Sequence, residues 1–157
     1  MKKSILIIIA AVLSIAAVAQ PRAIGGRIEL GGEVSYQHNV GSNFAELDFG
    51  YNYATGFGIT ATYDFIFASP EWTPKGTWEW YAGPGLTMGT YFSPIPFSIG
   101  VCAQVGLSYT FWFPLQLSVD LRPVAAVGFQ QNVIGFNLNG LYGFIPTLGV
   151  RYCFGMR

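Results

Sequence analysis

The sequence predicts an all-β protein: an eight-stranded antiparallel up-and-down β-barrel that crosses a membrane, preceded by a cleavable signal peptide. The clearest evidence is residues 97–111, FSIGVCAQVGLSYTF, in which apolar side chains alternate strictly with small or polar ones. A strand this long, with aromatic residues at both ends of its apolar face, is typical of transmembrane barrels. Composition agrees, because 17% of the residues are aromatic and only 10% are charged, whereas soluble domains average about 25% charged residues.

The amino-terminal segment has the three parts of a secretory signal peptide. A basic start at Lys2 and Lys3 is followed by an apolar run and by a small-residue cleavage pattern at residues 17–19. The apolar run is shorter than the roughly 20 residues that a transmembrane helix needs. We therefore expect residues 1–19 to be removed and residues 20–157 to form one barrel domain. That domain has no other apolar stretch of helix-spanning length, so it would have to cross a membrane with strands.

The first three strands are predicted from alternation between short turns. Residues 23–37 alternate cleanly, and residues 44–53 and 57–67 each set apolar side chains against polar ones and glycine. A short polar loop containing Gly41 separates the first strand from the second, and a tight turn at residues 54–56 leads into the third. The predicted barrel therefore begins with three consecutive strands.

The next two strands are longer. The longest clear loop, residues 68–76, leads into the fourth strand, residues 77–91. Pro84 lies inside that strand and lacks the N–H that a ladder hydrogen bond requires, so a β-bulge is expected there. Residues 92–96 then turn the chain into the fifth strand, 97–111.

The last three strands are predicted at residues 115–123, 133–138 and 141–154. Alternation weakens after Pro123, and residues 128–132 are expected to form a turn. Asn139 and Gly140, between the final two strands, are a strong hairpin signal. An even number of strands returns the carboxyl end to the side at which the chain enters the barrel.

The charged residues indicate which face of the strands is the inner one. All ten charged residues of the predicted strands lie opposite the aliphatic and aromatic side chains. Glycines crowd the same polar face, which suits the interior of a narrow barrel better than a soluble surface. A soluble lipocalin-like barrel, the alternative, would turn its apolar face inward. The predicted interior charge network consists of Arg27, Glu29, Glu33, Glu46, Asp48, Asp64, Glu79, Asp120, Arg122 and Arg151.

Aromatic residues near strand ends are expected to lie at the membrane–water interface, where amphipathic rings are enriched. A carbohydrate-binding aromatic patch is the alternative, and only Trp72 lies on a loop long enough to project. The predicted aromatic girdle consists of Tyr36, Trp78, Trp80, Tyr109, Trp112, Tyr152 and Phe154.

Two segments carry a resemblance to a known family. The opening AIGGRIELGGEVSYQH and the closing LGVRYCF resemble the small outer-membrane β-barrel proteins of Gram-negative bacteria, which are porin-like and of the eight-stranded OmpA/OmpX type. The closing segment is similar to the aromatic-ended signal read by the outer-membrane assembly machinery, although here residues 155–157 follow Phe154. The resemblance implies a monomer that is exported through the periplasm to the cell outer membrane. Its partners would be outer-membrane lipids and that machinery.

The predicted interior also limits what the protein can do. Eight strands enclose a space just wide enough for side chains to fill. Seven acidic residues share this space with three arginines, so we expect each arginine to contact two or more carboxylates. Some remaining acids would be protonated or lie near the rims. A structural or surface-interaction role follows, and a narrow cation-selective channel is the alternative.

An enzymatic role would depend on His38, the only histidine. Such an enzyme would modify lipids, with a histidine at the rim assisted by a serine and an acid. Ser35, Ser42, Glu33 and Glu46 lie nearby in sequence, but no spacing ties them together. Ser35 and Glu33 are also predicted to point into the barrel, whereas an acyl chain would arrive from the lipid side. We therefore expect no enzymatic activity.

Other ligand classes have no support in the sequence. Eight basic residues balance eight acidic ones, so no nucleic-acid footprint is predicted. No residue cluster has the spacing of a metal site, and no glycine-rich loop precedes a helix, so no metal or other cofactor is expected. Cys102 and Cys153 are predicted to face the interior from distant strands. Because a disulfide needs Cα atoms within about 7 Å, two free thiols are expected.

Overall fold

The computed structural model describes residues 21–52, 56–90, 97–130, 133–138 and 144–155, of which residues 52, 130 and 133–138 are described as backbone only. These segments contain ten strands, along which the side chains alternate between the two faces. No helix among them is long and apolar enough to cross a bilayer. The strands are β1 (Pro21–Ile28), β2 (Gly31–Val40), β3 (Asn43–Asn52), β4 (Gly56–Ala68), β5 (Thr77–Thr90), β6 (Phe97–Thr110), β7 (Leu115–Leu121), β8 (Val124–Gln130), β9 (Val133–Leu138) and β10 (Thr147–Cys153).

Eight of these strands form a closed antiparallel ring. Strands β1 to β7 pair in sequence order, and β10 pairs with β7 on one side and with β1 on the other. The β1–β10 ladder runs from Ala23 opposite Cys153 to Ile28 opposite Leu148. The predicted eight-stranded antiparallel barrel is therefore confirmed. We call the end of the barrel at which β1 begins and β10 ends the terminal end. The opposite end, which contains the turn at residues 29–30, is called the far end.

The predicted first strand, residues 23–37, is wrong, because this stretch forms the β1–β2 hairpin. Ile28 pairs with Gly32, so three residues connect the two strands. An odd number of connecting residues keeps the odd-numbered side chains, such as Arg27 and Ser35, on the inner face of both strands. Alternation therefore passes through the turn unbroken, and the pattern cannot distinguish this hairpin from one long strand.

Strands β7 and β8 continue one another along β6. Leu121 at the end of β7 pairs with Val105, and Val124 at the start of β8 pairs with Cys102 in the same register. Between them, the Ala103 N–H donates a hydrogen bond of 3.1 Å to the Pro123 carbonyl oxygen. Pairing therefore continues past Pro123, where the sequence pattern weakened. The turn expected at residues 128–132 is wrong, because residues 128–130 belong to β8.

The end of the chain also differs from the predicted order. Strand β9 has the predicted bounds of the seventh strand, but it pairs with β8 and lies outside the ring. The last strand begins at Thr147, after Pro146, rather than at residue 141. The hairpin expected at Asn139 and Gly140 lies outside the described residues.

The bulge expected at Pro84 is wrong. Pro84 pairs with Ala103 of β6, and the register of that ladder is unbroken on both sides. The β4–β5 ladder also keeps its register across this position and shifts only between Ile66 and Ala68. The neighbouring Gly83 allows β4 to lie close to β5 here, since a Cβ at this position would overlap the carbonyl oxygen of Tyr63.

The barrel has a polar interior and an apolar outer wall. Its largest fully buried side chains include Arg27, Arg151, Glu46, Asp48, Asp64 and Asp120, each at most 2% exposed. At mid-height of the outer wall, Leu47, Leu86 and Val101 are 49%, 64% and 58% exposed. These positions belong to one row of paired residues that crosses β3, β4, β5 and β6. The distribution is the reverse of that in a water-soluble domain.

Candidate functional site

Arg27 of β1 lies at the centre of the polar interior. Its guanidinium donates hydrogen bonds to Asp48 of β3, at 2.5 Å, and to Asp120 of β7. Carboxylate oxygens of Glu46 and Glu33 lie 3.5 and 3.8 Å from its Nη1 atom. Strands β3 and β7 are each two places from β1 around the ring, on opposite sides. Arg27 therefore links three strands that share no ladder with one another.

Arg122, between β7 and β8, makes the contacts nearest the far end. Its Nη2 atom donates to both carboxylate oxygens of Glu33, at 2.7 and 2.6 Å. Its Nη1 atom donates to Asp48 Oδ2 at 2.6 Å, the oxygen that also accepts from Arg27. Asp48 thus bridges two arginines and lowers the repulsion between them.

Arg151 of β10 contacts fewer acids than expected. It donates to one carboxylate, Glu46 of β3, at 2.5 Å, and to the hydroxyl oxygens of Ser35 and Ser118 at 2.8 and 2.7 Å. The expectation that every arginine contacts at least two carboxylates is therefore wrong for Arg151. Serine side chains of β2 and β7 accept hydrogen bonds from two further donor atoms of Arg151, so a second acid is not needed.

Glu46 is the most heavily hydrogen-bonded acid of the interior. Besides Arg151, it accepts from Ser35 at 2.8 Å, from Gln37 at 2.9 Å and from Gln104 at 3.3 Å. The glutamines are fully buried and were not predicted as part of the network. Their inward-facing positions in the alternation of β2 and β6 were the signal that could have identified them.

At the terminal end, Arg22 of β1 reaches across the barrel to Glu79 of β5, the strand opposite it in the ring. Its guanidinium carbon lies 4.7 Å from the centroid of the Phe44 ring. Phe44 in turn packs edge-on against Tyr81, with ring centroids 5.2 Å apart. The sequence did not predict Arg22 here, because a register shift between residues 21 and 23 interrupts the alternation.

The described interior is narrow at the far end and packed with side chains at the terminal end. At the far end, the crevice lined by Arg27, Glu29, Glu33 and Tyr51 is too narrow for a water-sized sphere. Burial raises the pKa of Glu29, in the turn at that end, and the nearby Arg122 opposes the shift. At the terminal end, the side chains of Arg22 and Tyr81 pack against the Phe44 ring. The described interior is thus a filled one.

The residues considered for an enzymatic site do not come together. His38 Nδ1 forms a hydrogen bond of 2.9 Å with the hydroxyl of Tyr36. Ser35 and Glu46 belong instead to the interior network, and Ser42 lies exposed in the turn between β2 and β3. Among the described residues, His38 therefore has neither an acid nor a serine as a hydrogen-bond partner.

Cys102 and Cys153 are both buried and both free. No three or more His, Cys, Asp or Glu side chains of the described segments are grouped to hold a metal ion.

Six of the seven predicted girdle residues lie toward the terminal end, whereas Tyr36 pairs with Leu47 at mid-height. The rings of Trp78 and Tyr109 are 4.5 Å apart, and those of Tyr152 and Phe154 are 5.5 Å apart. Trp72, from the β4–β5 loop, packs against Trp78 and Trp80 with centroids at 5.3 and 6.4 Å. At the far end, the described rings include the Phe97–Phe129 stack and the Tyr51–Phe57 pair, whose centroids are 5.2 Å apart. These six girdle residues thus form a tryptophan- and tyrosine-rich band at the terminal end.

Comparison of the chain with protein-family models, with curated proteins and with solved structures finds no match.

Proposed function

We propose that this protein is an integral outer-membrane β-barrel with a structural or surface-interaction role and a lumen closed by salt bridges. The observation that carries the proposal is the inverted distribution of side chains. Buried arginines and carboxylates fill the interior, whereas Leu86, Leu148 and Ile28 are 64%, 60% and 67% exposed on the outer wall. Soluble monomers rarely expose apolar patches larger than a few hundred Å². A hydrocarbon environment removes that cost, and it is compatible with a closed barrel because such a barrel has no unpaired edge.

The aromatic band supports the same proposal. Tryptophan and tyrosine rings prefer the boundary between hydrocarbon and water, where their polar atoms reach water. Lys75 lies in the β4–β5 loop beside this band, with its Nζ atom 5.6 Å from the Trp112 ring centroid. A charged residue beyond a ring of aromatic side chains fits the headgroup region of a bilayer.

Assignment to the outer membrane of a Gram-negative cell depends on the predicted signal peptide and on the resemblance of the two end segments. Such a barrel would be secreted to the periplasm and inserted by the assembly machinery through its last strand, β10, and the residues after it. Its surface role would belong to the turns and loops, since loops on a rigid scaffold carry recognition.

The interior favours a closed lumen over the alternative of a narrow cation-selective channel. Arginines cross the barrel at three heights, where Arg22, Arg27 and Arg122 meet acids of distant strands. An ion would have to displace these buried pairs to pass. Planar-bilayer recordings on purified protein test this point: we expect no steady conductance, and a steady cation current would establish the channel instead.

Membrane integration is tested by producing the full chain in a Gram-negative host. We expect the mature protein in the outer-membrane fraction, resistant to carbonate extraction, with a gel mobility that changes on boiling because the closed barrel resists detergent. Recovery in the soluble periplasmic fraction, with or without such a mobility change, would contradict the proposal. A variant that lacks residues 1–19 is the matched control, since it should remain in the cytoplasm.

A further inference from the structure

Asp64 of β4 is a fully buried carboxyl group with no cationic partner in the described interior. It is 0% exposed, and its one hydrogen bond joins Oδ2 to the hydroxyl oxygen of Thr62 at 2.5 Å. Its Oδ1 atom has no hydrogen-bond partner. By contrast Asp48 and Asp120, the other two aspartates of the sequence, both contact Arg27. Asp64 is therefore the one aspartate without a guanidinium.

The residues opposite Asp64 on β3 and β5 supply no side-chain donor. Phe44 of β3 is its paired residue across the ladder. On the β5 side lies Gly83, so close that a Cβ there would be 2.8 Å from the Asp64 Cα atom. A phenyl ring and a glycine leave the carboxyl group in an apolar niche of an otherwise polar lumen.

The more distant charges also disfavour an anion at this position. The charged groups that act most strongly on Asp64 are Glu46 of β3, Asp120 of β7 and Arg27 of β1, which are two acids and one base. Cys102 of β6 is a further titratable neighbour. Tyr81 of β5 lies on the same inner face, and its hydroxyl donates to Asp120 at 3.2 Å. Arg22 is occupied by Glu79.

We propose that Asp64 is a buried proton-binding site, so that its side chain is a neutral carboxylic acid in the folded protein at mildly acidic pH, at which a free aspartate is ionised. An isolated ionised carboxylate is so costly to bury that such a group takes up a proton instead. In this state Oδ2–H donates to the Thr62 hydroxyl oxygen, and 2.5 Å is a suitable length for an O–H···O bond. The proton comes from solvent during folding. The proposal concerns the interior alone and is independent of whether lipid surrounds the outer wall.

The sign of the pH dependence follows from this proton. In the unfolded chain an aspartate has a pKa of about 3.9 and is ionised at mildly acidic pH. The folded state then binds one more proton than the unfolded state, so Asp64 contributes stability at low pH that is lost as the pH rises. Between about pH 5 and pH 6 this single proton changes the folding equilibrium constant by about tenfold per pH unit. Asp64→Asn keeps the shape and the contact to Thr62 but removes the proton.

Carboxyl ¹³C NMR of the folded protein in micelles, labelled at aspartate, tests the proposal directly. With three aspartates in the chain, we expect one protonated and two ionised signals at pH 6. Asp64→Asn should remove the protonated signal, whereas the control Asp120→Asn should remove an ionised one. Three ionised signals, or a protonated signal that survives in Asp64→Asn, would overturn it. Failure of Asp64→Asn to fold would also count against it, because the neutral amide should be tolerated.

Urea unfolding at several pH values gives a second measurement. The ratio of the wild-type folding constant to that of Asp64→Asn should fall by about tenfold per pH unit between about pH 5 and pH 6. A ratio that does not change with pH would contradict proton uptake at Asp64. Because both experiments need only a folded barrel, their failure is distinguishable from failure of the protein to reach the outer membrane.

Discussion

Arg151 of β10 and Glu46 of β3 form an ion pair of 2.5 Å across the barrel interior, although their strands lie three places apart around the ring. Both side chains are fully buried. No backbone ladder joins β10 to β3, so the pair holds together walls that hydrogen bonds between neighbouring strands do not connect. The interior network therefore contributes to closure of the barrel as well as filling it.

Breaking this pair from one side should be strongly destabilising. Arg151→Met removes the guanidinium nearest to Glu46 and leaves this buried acid with Arg27, 3.5 Å away. We therefore expect a loss of about 3 kcal/mol in the free energy of unfolding, at the low end for a broken buried pair. The double variant Arg151→Met/Glu46→Gln should lose less than the sum of the two single variants, because it leaves no unpaired charge. Urea unfolding in lipid vesicles measures all three. Additive losses would show that the two groups do not interact.

Gly25, which lies where β1 pairs with β10, should be essential to closure of the barrel. A Cβ at Gly25 would overlap the carbonyl oxygen of Val150, whereas a Cβ at Gly26 meets no atom closer than 3.7 Å. We expect Gly25→Ala to cost about 1–3 kcal/mol, as overpacking does, and Gly26→Ala to have little effect. The fraction of protein with the unboiled gel mobility measures the difference. Equal yields for the two variants would contradict this role of Gly25.

Arginine side chains should keep the lumen closed to ions. Replacing Arg22, Arg27 and Arg122 together by serine removes the guanidinium groups at all three heights and leaves Glu79, Asp48, Asp120 and Glu33 in place. We expect a small cation-selective conductance from this variant in planar bilayers, because carboxylates would then line the path. The matched control Arg151→Ser keeps the ion pairs of Arg22, Arg27 and Arg122 across the barrel, and its lumen should remain closed. A variant that folds but conducts no better than the wild type would show that other side chains close the lumen.

The orientation of side chains could be predicted from the sequence because a strand has a period of two. Arg27, Glu46 and Asp120 all lie inside, as their positions in the alternation indicated. The same period hid the β1–β2 hairpin, since its connection has an odd number of residues. The predicted count of eight strands is correct because two differences cancel: residues 23–37 form two strands, and β9 lies outside the ring.

The partners of each charge could not be predicted. Arg122 meets Glu33 rather than Asp120, two positions before it in the sequence, because the stagger of the strands sets which side chains share a height. Alternation fixes the face of a residue but carries no information about stagger. Arg22 was missed for a related reason, because a local register shift changes the face at one position.

The central claim is that hydrocarbon surrounds the outer wall, and an arginine placed at mid-height tests it most directly. Leu86 lies in the middle of β5 and is 64% exposed, whereas Val40 lies at the end of β2 and is 40% exposed. In a bilayer, Leu86→Arg should lower the free energy of unfolding by about 2–4 kcal/mol and Val40→Arg by about 0–1 kcal/mol. Urea unfolding in lipid vesicles gives both values. If Leu86→Arg costs no more than Val40→Arg, the outer wall faces water and the account of a membrane barrel is wrong.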